Sequence, residues 1–195
     1  MRQGETIERV GSGVAALAEQ WLEGDLDARP IVVVAGQGEN GAVALAAARS
    51  LWEKGGWVQT ICVFDPATTA DWLATALEQL QTLGVPLAWA EEGWELPPCD
   101  LLIEAIVDPN QTEDPQGRER DLILLANSSF APIVSIGAPS GTQGETGHCF
   151  SPHIHAAATL LRLSPQFTLP QQPARAAYGT LYSLDENGAV HLVGL

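Results

Sequence analysis

The chain has 195 residues, of which 46% are hydrophobic and 17% charged, a composition typical of a compact globular protein and too apolar for a disordered one. Its 24 acidic and 9 basic residues give a net charge of −15, and the sequence contains no basic patch, so we expect no binding to nucleic acid. The length is that of one domain, and we predict a single domain over residues 1–195.

The cysteines and the N-terminal residues indicate a cellular compartment. Cys62, Cys99 and Cys149 are widely spaced and form no CxxC pair, which favours reduced thiols. The N-terminal residues, MRQGETIERVGSG, lack the apolar core of a signal peptide. No apolar run approaches the roughly 18 residues that span a bilayer. We therefore expect a cytoplasmic protein that does not associate with membranes.

Hydrophobic periodicity predicts helices and strands that alternate along most of the chain. The predicted elements, in chain order, are a helix over residues 6–22 with Thr6 as its cap, a strand over 31–36, a helix over 40–56, a strand over 57–64, a helix over 68–84, strands over 85–90 and 100–107, a helix over 116–129, and strands over 131–139, 156–164, 178–185 and 188–195. This alternation predicts a three-layer α/β/α Rossmann-like fold, with a mainly parallel sheet and C-terminal strands at its edge.

A glycine-rich turn, GQGENG over residues 36–41, lies between the first strand and the second helix and matches GxGxxG. Glycines let the backbone approach a phosphate, and the helix N-terminus offers free N–H groups. A dinucleotide-binding dehydrogenase also needs an acidic residue about 20 positions later, for which Asp65 is the candidate. The same pattern fits a tight turn that only requires the conformational freedom of glycine, so both interpretations stay open.

Five segments resemble, in order and at matching spacing, motifs of the YjeF N-terminal domain family, the NAD(P)HX epimerases. The family motifs and the segments similar to them are ENAGRAVA with ERVGSGVA (8–15), GPGNNGGDG and LVAAR with GQGENGAVALAAAR (36–49), DLIVDALFGTG…RG with DLLIEAIVDPN…QG (100–117), APVLAVDIPSGLDADTG with APIVSIGAPSGTQGETG (131–147), and GELYVVD with GTLYSLD (179–185). The turn thus resembles an epimerase loop more closely than a dehydrogenase fingerprint.

The resemblance implies an enzyme that interconverts the two epimers of hydrated NADH and NADPH, so that a partner dehydratase can repair them. It implies an NAD(P)H-type nucleotide on the turn, which here offers Gly38, Glu39, Asn40 and Gly41. It further implies a potassium ion, whose oxygen ligands would be Asn40, Glu104 and Ser140. Candidate protein partners are a dehydratase or a second copy of the chain in a homodimer.

The proton-transferring position departs from the family. Where the family has aspartate before Pro-Ser-Gly, this chain has Gly137, which cannot hold a proton, so the resemblance leaves it with no catalytic residue. Glu39 replaces the first asparagine of the turn and would repel a pyrophosphate unless a cation neutralises it. Residues 42–44 (AVA) replace Gly-Asp-Gly and supply no carboxylate, although they suit packing of the helix on the sheet.

Further departures surround that position. Asp108, Pro109 and Asn110 replace the family's GTG loop, and proline has no N–H to offer a phosphate. Gln166 replaces a lysine. Glu104 replaces an aspartate, which keeps the charge and adds one methylene. The alternative role for Glu104 is to cap a backbone group or to pair with an arginine.

Two more sets of side chains are candidates for a site. His153 and His155 flank Ile154 and point the same way in an extended segment, but two metal ligands without a third favour surface histidines; His148 lies close before them. Glu39, Asp65 and Asp108 are expected at the carboxyl ends of the strands, where they would form an acidic mouth suited to a cation or an amine.

Three functions follow as hypotheses. The first is a divergent NAD(P)HX epimerase-like protein, catalytically impaired or inactive, that retains nucleotide and potassium binding. The alternative is a non-catalytic scaffold of the same fold, with Trp89 and Trp94 as interface candidates. A weaker alternative is a Rossmann-type protein that binds another nucleotide-like ligand.

Overall fold

The computed structural model describes residues 3–91, 93–108, 110–143, 145–161 and 170–193. Its helices are α1 (Gln3–Trp21), α2 (Glu39–Glu53), α3 (Asp71–Leu83) and α4 (Gly117–Ser128). Its strands are β1 (Ile31–Ala35), β2 (Val58–Cys62), β3 (Leu87–Trp89), β4 (Leu101–Ala105), β5 (Ile133–Ile136), β6 (Thr142–Gln143), β7 (His148–Cys149), β8 (Ala158–Leu161), β9 (Thr180–Leu184) and β10 (Val190–Leu192). Short 3-10 turns lie at Pro66–Thr68 and Ala174–Tyr178.

Eight strands form one sheet in the order β10-β9-β8-β5-β4-β1-β2-β3. Every neighbouring pair is parallel except β9 and β10, which are antiparallel. The predicted α/β fold with a mainly parallel sheet and C-terminal edge strands is therefore confirmed. The order of the strands reverses at β1, whose neighbours are β2 and β4, and a ligand crevice is expected at the carboxyl ends of strands at such a point.

The sheet is covered on both faces, as the β-branched run of β1 predicts. Ile31, Val33 and Ala35 pack into a core shared with α1, α2 and α3. Val32 and Val34 point to the opposite face and pack into a second core with residues of α4. This arrangement confirms the three predicted layers.

Several predicted boundaries differ from the structure. Helix α1 already includes Gln3, so Thr6 lies inside the helix and is not its cap. The hairpin of β6 and β7 was not predicted, because strands of two residues carry no recognisable periodicity. The strand predicted over 156–164 begins at Ala158, two residues later than predicted, and is described to Leu161; residues 162–164 lie outside the described residues. Within the described ranges, no helix is both long and apolar enough to cross a membrane.

Helix α1 is held close to α2 and to the C-terminal strands by two glycines. A Cβ built at Gly11 would lie 2.6 Å from the Cβ of Ala46 and 2.9 Å from its backbone carbon. A Cβ at Gly13 would lie 2.3 Å from the Leu184 side chain in β9. Arg9 of α1 also donates a hydrogen bond from Nη1 to the carbonyl of Glu186, 3.0 Å away. The contact at Gly11 thus sets the approach of α1 to α2, whose N-terminus follows the glycine-rich turn, and the other two contacts join α1 to β9 and the residues after it.

We expect Gly11→Ala to lower the free energy of unfolding by about 1–3 kcal/mol, because the added methyl group meets the backbone of α2. Gly4→Ala is the matched control in the same helix, since a Cβ there meets nothing within 4 Å. That control should leave stability unchanged or raise it by up to about 1 kcal/mol through helix propensity. Urea denaturation measures both values, and equal effects would contradict close α1–α2 packing.

Candidate functional site

A cavity of about 150 Å³ lies at the carboxyl ends of β1 and β4. It is lined by Gln37, Gly38, Glu39, Asn40, Gly41, Ala105, Val107, Asp108 and Asn110. The structure thus brings together the four residues predicted to bind a nucleotide, at the crevice that the strand order predicts. Their role as nucleotide ligands stays a prediction.

Two of the turn's glycines are required by the protein's own backbone. A Cβ built at Gly36 would lie 1.9 Å from the carbonyl oxygen of Ile106, which follows β4. A Cβ at Gly41, in the first turn of α2, would lie 1.8 Å from the carbonyl oxygen of Gly36. The tight-turn interpretation therefore accounts for Gly36 and Gly41 without any ligand.

Gly38 precedes α2 with φ 137° and ψ 172°, a backbone conformation that favours glycine. Asp108 lies against it, because a Cβ built at Gly38 would be 2.9 Å from Asp108 Oδ2. The other carboxylate oxygen, Oδ1, accepts hydrogen bonds of 2.8 Å from the backbone N and from Nδ2 of Asn110. A carboxylate thus stands at the helix terminus where a phosphate would be attracted.

The predicted acidic mouth forms only in part. Glu39 and Asp108 line the same cavity, whereas Asp65 is not among the lining residues. The Asp65 carboxylate instead caps the 3-10 turn after β2, where it accepts a 2.9 Å hydrogen bond from the backbone N of Ala67. Capping of the local backbone therefore accounts for an acidic residue at this place after β2, without a ligand.

Glu104 is completely buried at the end of β4, beside the cavity's Ala105. Its Oε1 accepts hydrogen bonds from Ser135 Oγ and, at 3.2 Å, from the backbone N of Ser140. Its Oε2 accepts hydrogen bonds from Ser140 Oγ at 2.6 Å and from the backbone N of Ile106 at 3.2 Å. Burial raises the pKa of the Glu104 carboxyl group, and these hydrogen bonds oppose the rise.

Ser140 completes this network from the loop after β5. Its Oγ accepts hydrogen bonds from the backbone N of Ile106 at 3.0 Å and of Val107 at 2.9 Å, while its proton is donated to Glu104. The prediction that Glu104 caps backbone groups is confirmed for the N–H groups of Ile106 and Ser140. Ser135 was not predicted; its only signal is one hydroxyl within the otherwise apolar strand IVSI.

Two of the three predicted potassium ligands, Glu104 and Ser140, contact each other. The third, Asn40, places its amide against Gly137, at the start of the loop that carries Ser140. A carboxyl group offers about four acceptor positions, and all four on Glu104 are used by protein donors. In this arrangement Glu104 does not fit as a potassium ligand, and the potassium site stays a prediction.

Gly137 follows β5 and has φ 75°, in the left-handed region. A Cβ built there would lie 2.8 Å from Asn40 Nδ2, so the asparagine amide fills the space of a side chain. Val43, at the other position where the family has an aspartate, is completely buried together with Ala42 and Ala44. This confirms their predicted packing on the sheet, and an aspartate at position 43 would be buried in apolar surroundings.

The histidines and tryptophans outside this cavity have other partners. The rings of His153 and His155 lie 4.7 Å apart, and His153 Nδ1 contacts the Phe150 carbonyl at 2.9 Å. Among the described residues, no three side chains of the metal-binding types come together. Trp89 and Trp94, the interface candidates, are half-buried against the two cores. The predicted differences at Pro109 and Gln166 lie outside the described residues.

Comparison with known proteins matches residues 3–166 to the family model described as YjeF-related protein N-terminus. The chain is 30% identical to an NAD(P)H-hydrate epimerase of Truepera radiovictrix, over 97% of this chain and 83% of that protein. It is 27% identical to a bifunctional NAD(P)H-hydrate repair enzyme Nnr of Moorella thermoacetica, over 92% of this chain. The chain spans 35% of the length of that bifunctional relative.

A solved structure has the same fold. The crystal structure of yeast ynu0 (YNL200c) superposes with a TM-score of 0.78, covering 94% of this chain and 79% of that one. Its sequence is 21% identical to this chain, so the likeness supports the architecture alone.

We expect Ser140→Ala to destabilise the protein more than Ser135→Ala, by at least about 1 kcal/mol. Ser140→Ala removes a donor to Glu104 and also the acceptor for the N–H of Val107, whereas Ser135→Ala removes one donor only. Both serines are buried, so the pair is matched in the size of the cavity created. Chemical denaturation gives the two free energies, and a larger loss for Ser135→Ala would show that Ser140 is not the centre of the network.

Proposed function

We propose that this chain, which belongs to the YjeF N-terminal domain family, is an NAD(P)H-hydrate epimerase-like protein whose catalytic activity is impaired or lost. The observation that carries the proposal is Gly137, which offers no side chain at the position where the family has its aspartate. Acid–base interconversion of epimers needs a group that takes up a proton and returns it. Neither Gly137 nor the amide of Asn40 beside it can do so.

The cavity at the glycine-rich turn supports retained binding of part of a nucleotide. Its volume of about 150 Å³ is below the roughly 300–1,000 Å³ usual for drug-sized ligands. That space suits a ribose or a single ring better than a whole dinucleotide. The carboxylates of Glu39 and Asp108 line it, so phosphate groups are disfavoured and uncharged or cationic groups are favoured.

The activity is tested by following the epimers of hydrated NADH by chromatography. We expect conversion at or only slightly above the spontaneous rate, because Gly137 cannot carry a proton. Rapid catalysed conversion that disappears when residues lining the cavity are changed would contradict the proposal.

The variant Gly137→Asp, with Gly137→Asn as its matched control, tests whether the rest of the site can support catalysis once position 137 carries an acidic side chain. Both variants accept the same left-handed backbone and both displace the Asn40 amide, but only aspartate can exchange a proton. Conversion by the aspartate variant alone would show that position 137 is what limits activity. We leave Val43 unchanged in this test, since a carboxylate there would be buried in the core.

Asp108→Asn should raise the affinity for AMP by about tenfold and leave adenosine affinity nearly unchanged, because it removes a like charge from the N-terminus of α2. Asparagine keeps an oxygen for the two hydrogen bonds from Asn110. The control is Asp71→Asn, which removes the same charge from the first turn of α3, outside the cavity. Calorimetric titration measures the affinities. A gain for AMP in both variants, or in neither, would show that Asp108 does not set the preference.

One observation favours a second candidate, a non-catalytic protein that binds a protein partner. Phe130, just after α4, is fully exposed, and Leu124 on α4 is 41% exposed. Leu124 also lines a groove of about 310 Å³ with Trp94 and Arg118. A second copy of the chain and a dehydratase-type protein are the proposed occupants. Light scattering of the purified protein, with Phe130→Ser as the comparison, distinguishes a homodimer from a monomer that needs another partner.

A further inference from the structure

We infer that the Glu104 carboxyl group takes the place of a bound monovalent cation in this chain. It joins the two loops that border the candidate site through hydrogen bonds alone, so the protein holds its shape without potassium. The inference goes beyond the proposed function and does not depend on it, because it rests on contacts inside the fold.

The first support is the position of Glu104 between the two loops. The loop after β4 contributes the backbone N of Ile106, and the loop after β5 contributes the backbone N and the hydroxyl of Ser140. All three donate to the one carboxyl group. A cation between oxygen-bearing loops would make the same connection by drawing oxygens towards itself, whereas here N–H and O–H donors converge on a carboxyl group.

The second support is that the acceptors are saturated. Two donors reach Oε1 and two reach Oε2, so each of the four lone-pair positions of the carboxyl group faces a donor. The Ser140 hydroxyl donates to Glu104 and accepts from the N–H of Val107, and it shares the N–H of Ile106 with Glu104 Oε2 in a bifurcated hydrogen bond. A cation at either residue would have to break these buried hydrogen bonds, each of which is costly to leave unmade.

The third support is the register of β4 and β5, which pairs Glu104 with Ser135. This places the Ser135 hydroxyl beside the carboxyl group, with both residues completely buried. The family motifs quoted above carry aspartate and alanine at these two positions. Glutamate adds a methylene and serine adds a donor, and together they close the carboxyl group that a shorter side chain would leave open.

The test measures the midpoint of thermal unfolding, Tm, of the whole chain in potassium chloride, sodium chloride and N-methylglucamine chloride at equal ionic strength. For the wild-type protein we expect the three Tm values to agree within about 1 °C, since a cation that binds only the folded state would raise Tm. A saturable, potassium-specific rise in the wild-type protein would overturn the inference.

The double variant Glu104→Asp/Ser135→Ala shortens the carboxylate side chain and removes one of its donors. It should gain the stabilisation by potassium that the wild-type protein lacks. We expect its Tm to rise by about 3–6 °C with potassium at tenfold excess over the dissociation constant, but not with N-methylglucamine. Glu104→Gln is the control: it should lose stability without any rescue by potassium, because it has no carboxylate. A rise in the Tm of the double variant with potassium would show that Glu104 and Ser135 replace a cation, because a purely structural role of these residues would produce no dependence on potassium. A folded double variant whose Tm ignores potassium would overturn the inference, and the wild-type comparison decides it if the variant does not fold.

Discussion

The candidate site depends on the hydrogen bonds that converge on the carboxyl group of Glu104. This group is completely buried, and four donors from β5 and two loops converge on it. Such a group is very costly to bury unless its partners are complete, and the complete network restricts the backbone to one arrangement. Because Ile106 also receives the close approach of Gly36, the same few residues fix the turn, the end of β4 and the cavity between them.

Around that network the fold is retained, while several residues at the candidate site differ from the family motifs. Ala42, Val43 and Ala44 are buried in the core, so α2 keeps its packing on the sheet without a carboxylate on that face. Asp108 supplies a negative charge next to Gly38, at the end of the helix that would otherwise attract an anion. The packing of the scaffold thus depends on residues within α2, whereas the proposed ligand preference depends on Asp108, which lies in the loop after β4.

The sequence predicts the architecture well because the signals for it are local. The apolar run of β1, the glycines after it and the alternation of helical and strand periods define the sheet and its layers, and the structure confirms both. The candidate site is predicted less completely, because its decisive contacts join distant residues. Nothing in IVSI indicates that Ser135 lies opposite Glu104 on the neighbouring strand. The cap formed by Asp65 is different, because it is a local contact with Ala67 and the proline that follows Asp65 is its signal in the sequence. Thr6 is not the cap for a local reason: α1 begins before it, at residues that show no strong hydrophobic periodicity.

The contact of α1 with β9 and the residues just after it has a consequence for biosynthesis. Gly13 packs on Leu184, and Arg9 reaches the carbonyl of Glu186, 177 positions later. While the chain emerges from the ribosome, α1 can pack on α2 early, but the surface that receives it on β9 does not yet exist. The N-terminal helix therefore keeps part of its apolar face uncovered until β9 has been synthesised. In the cell, that helix is a segment for a chaperone to shield during this interval.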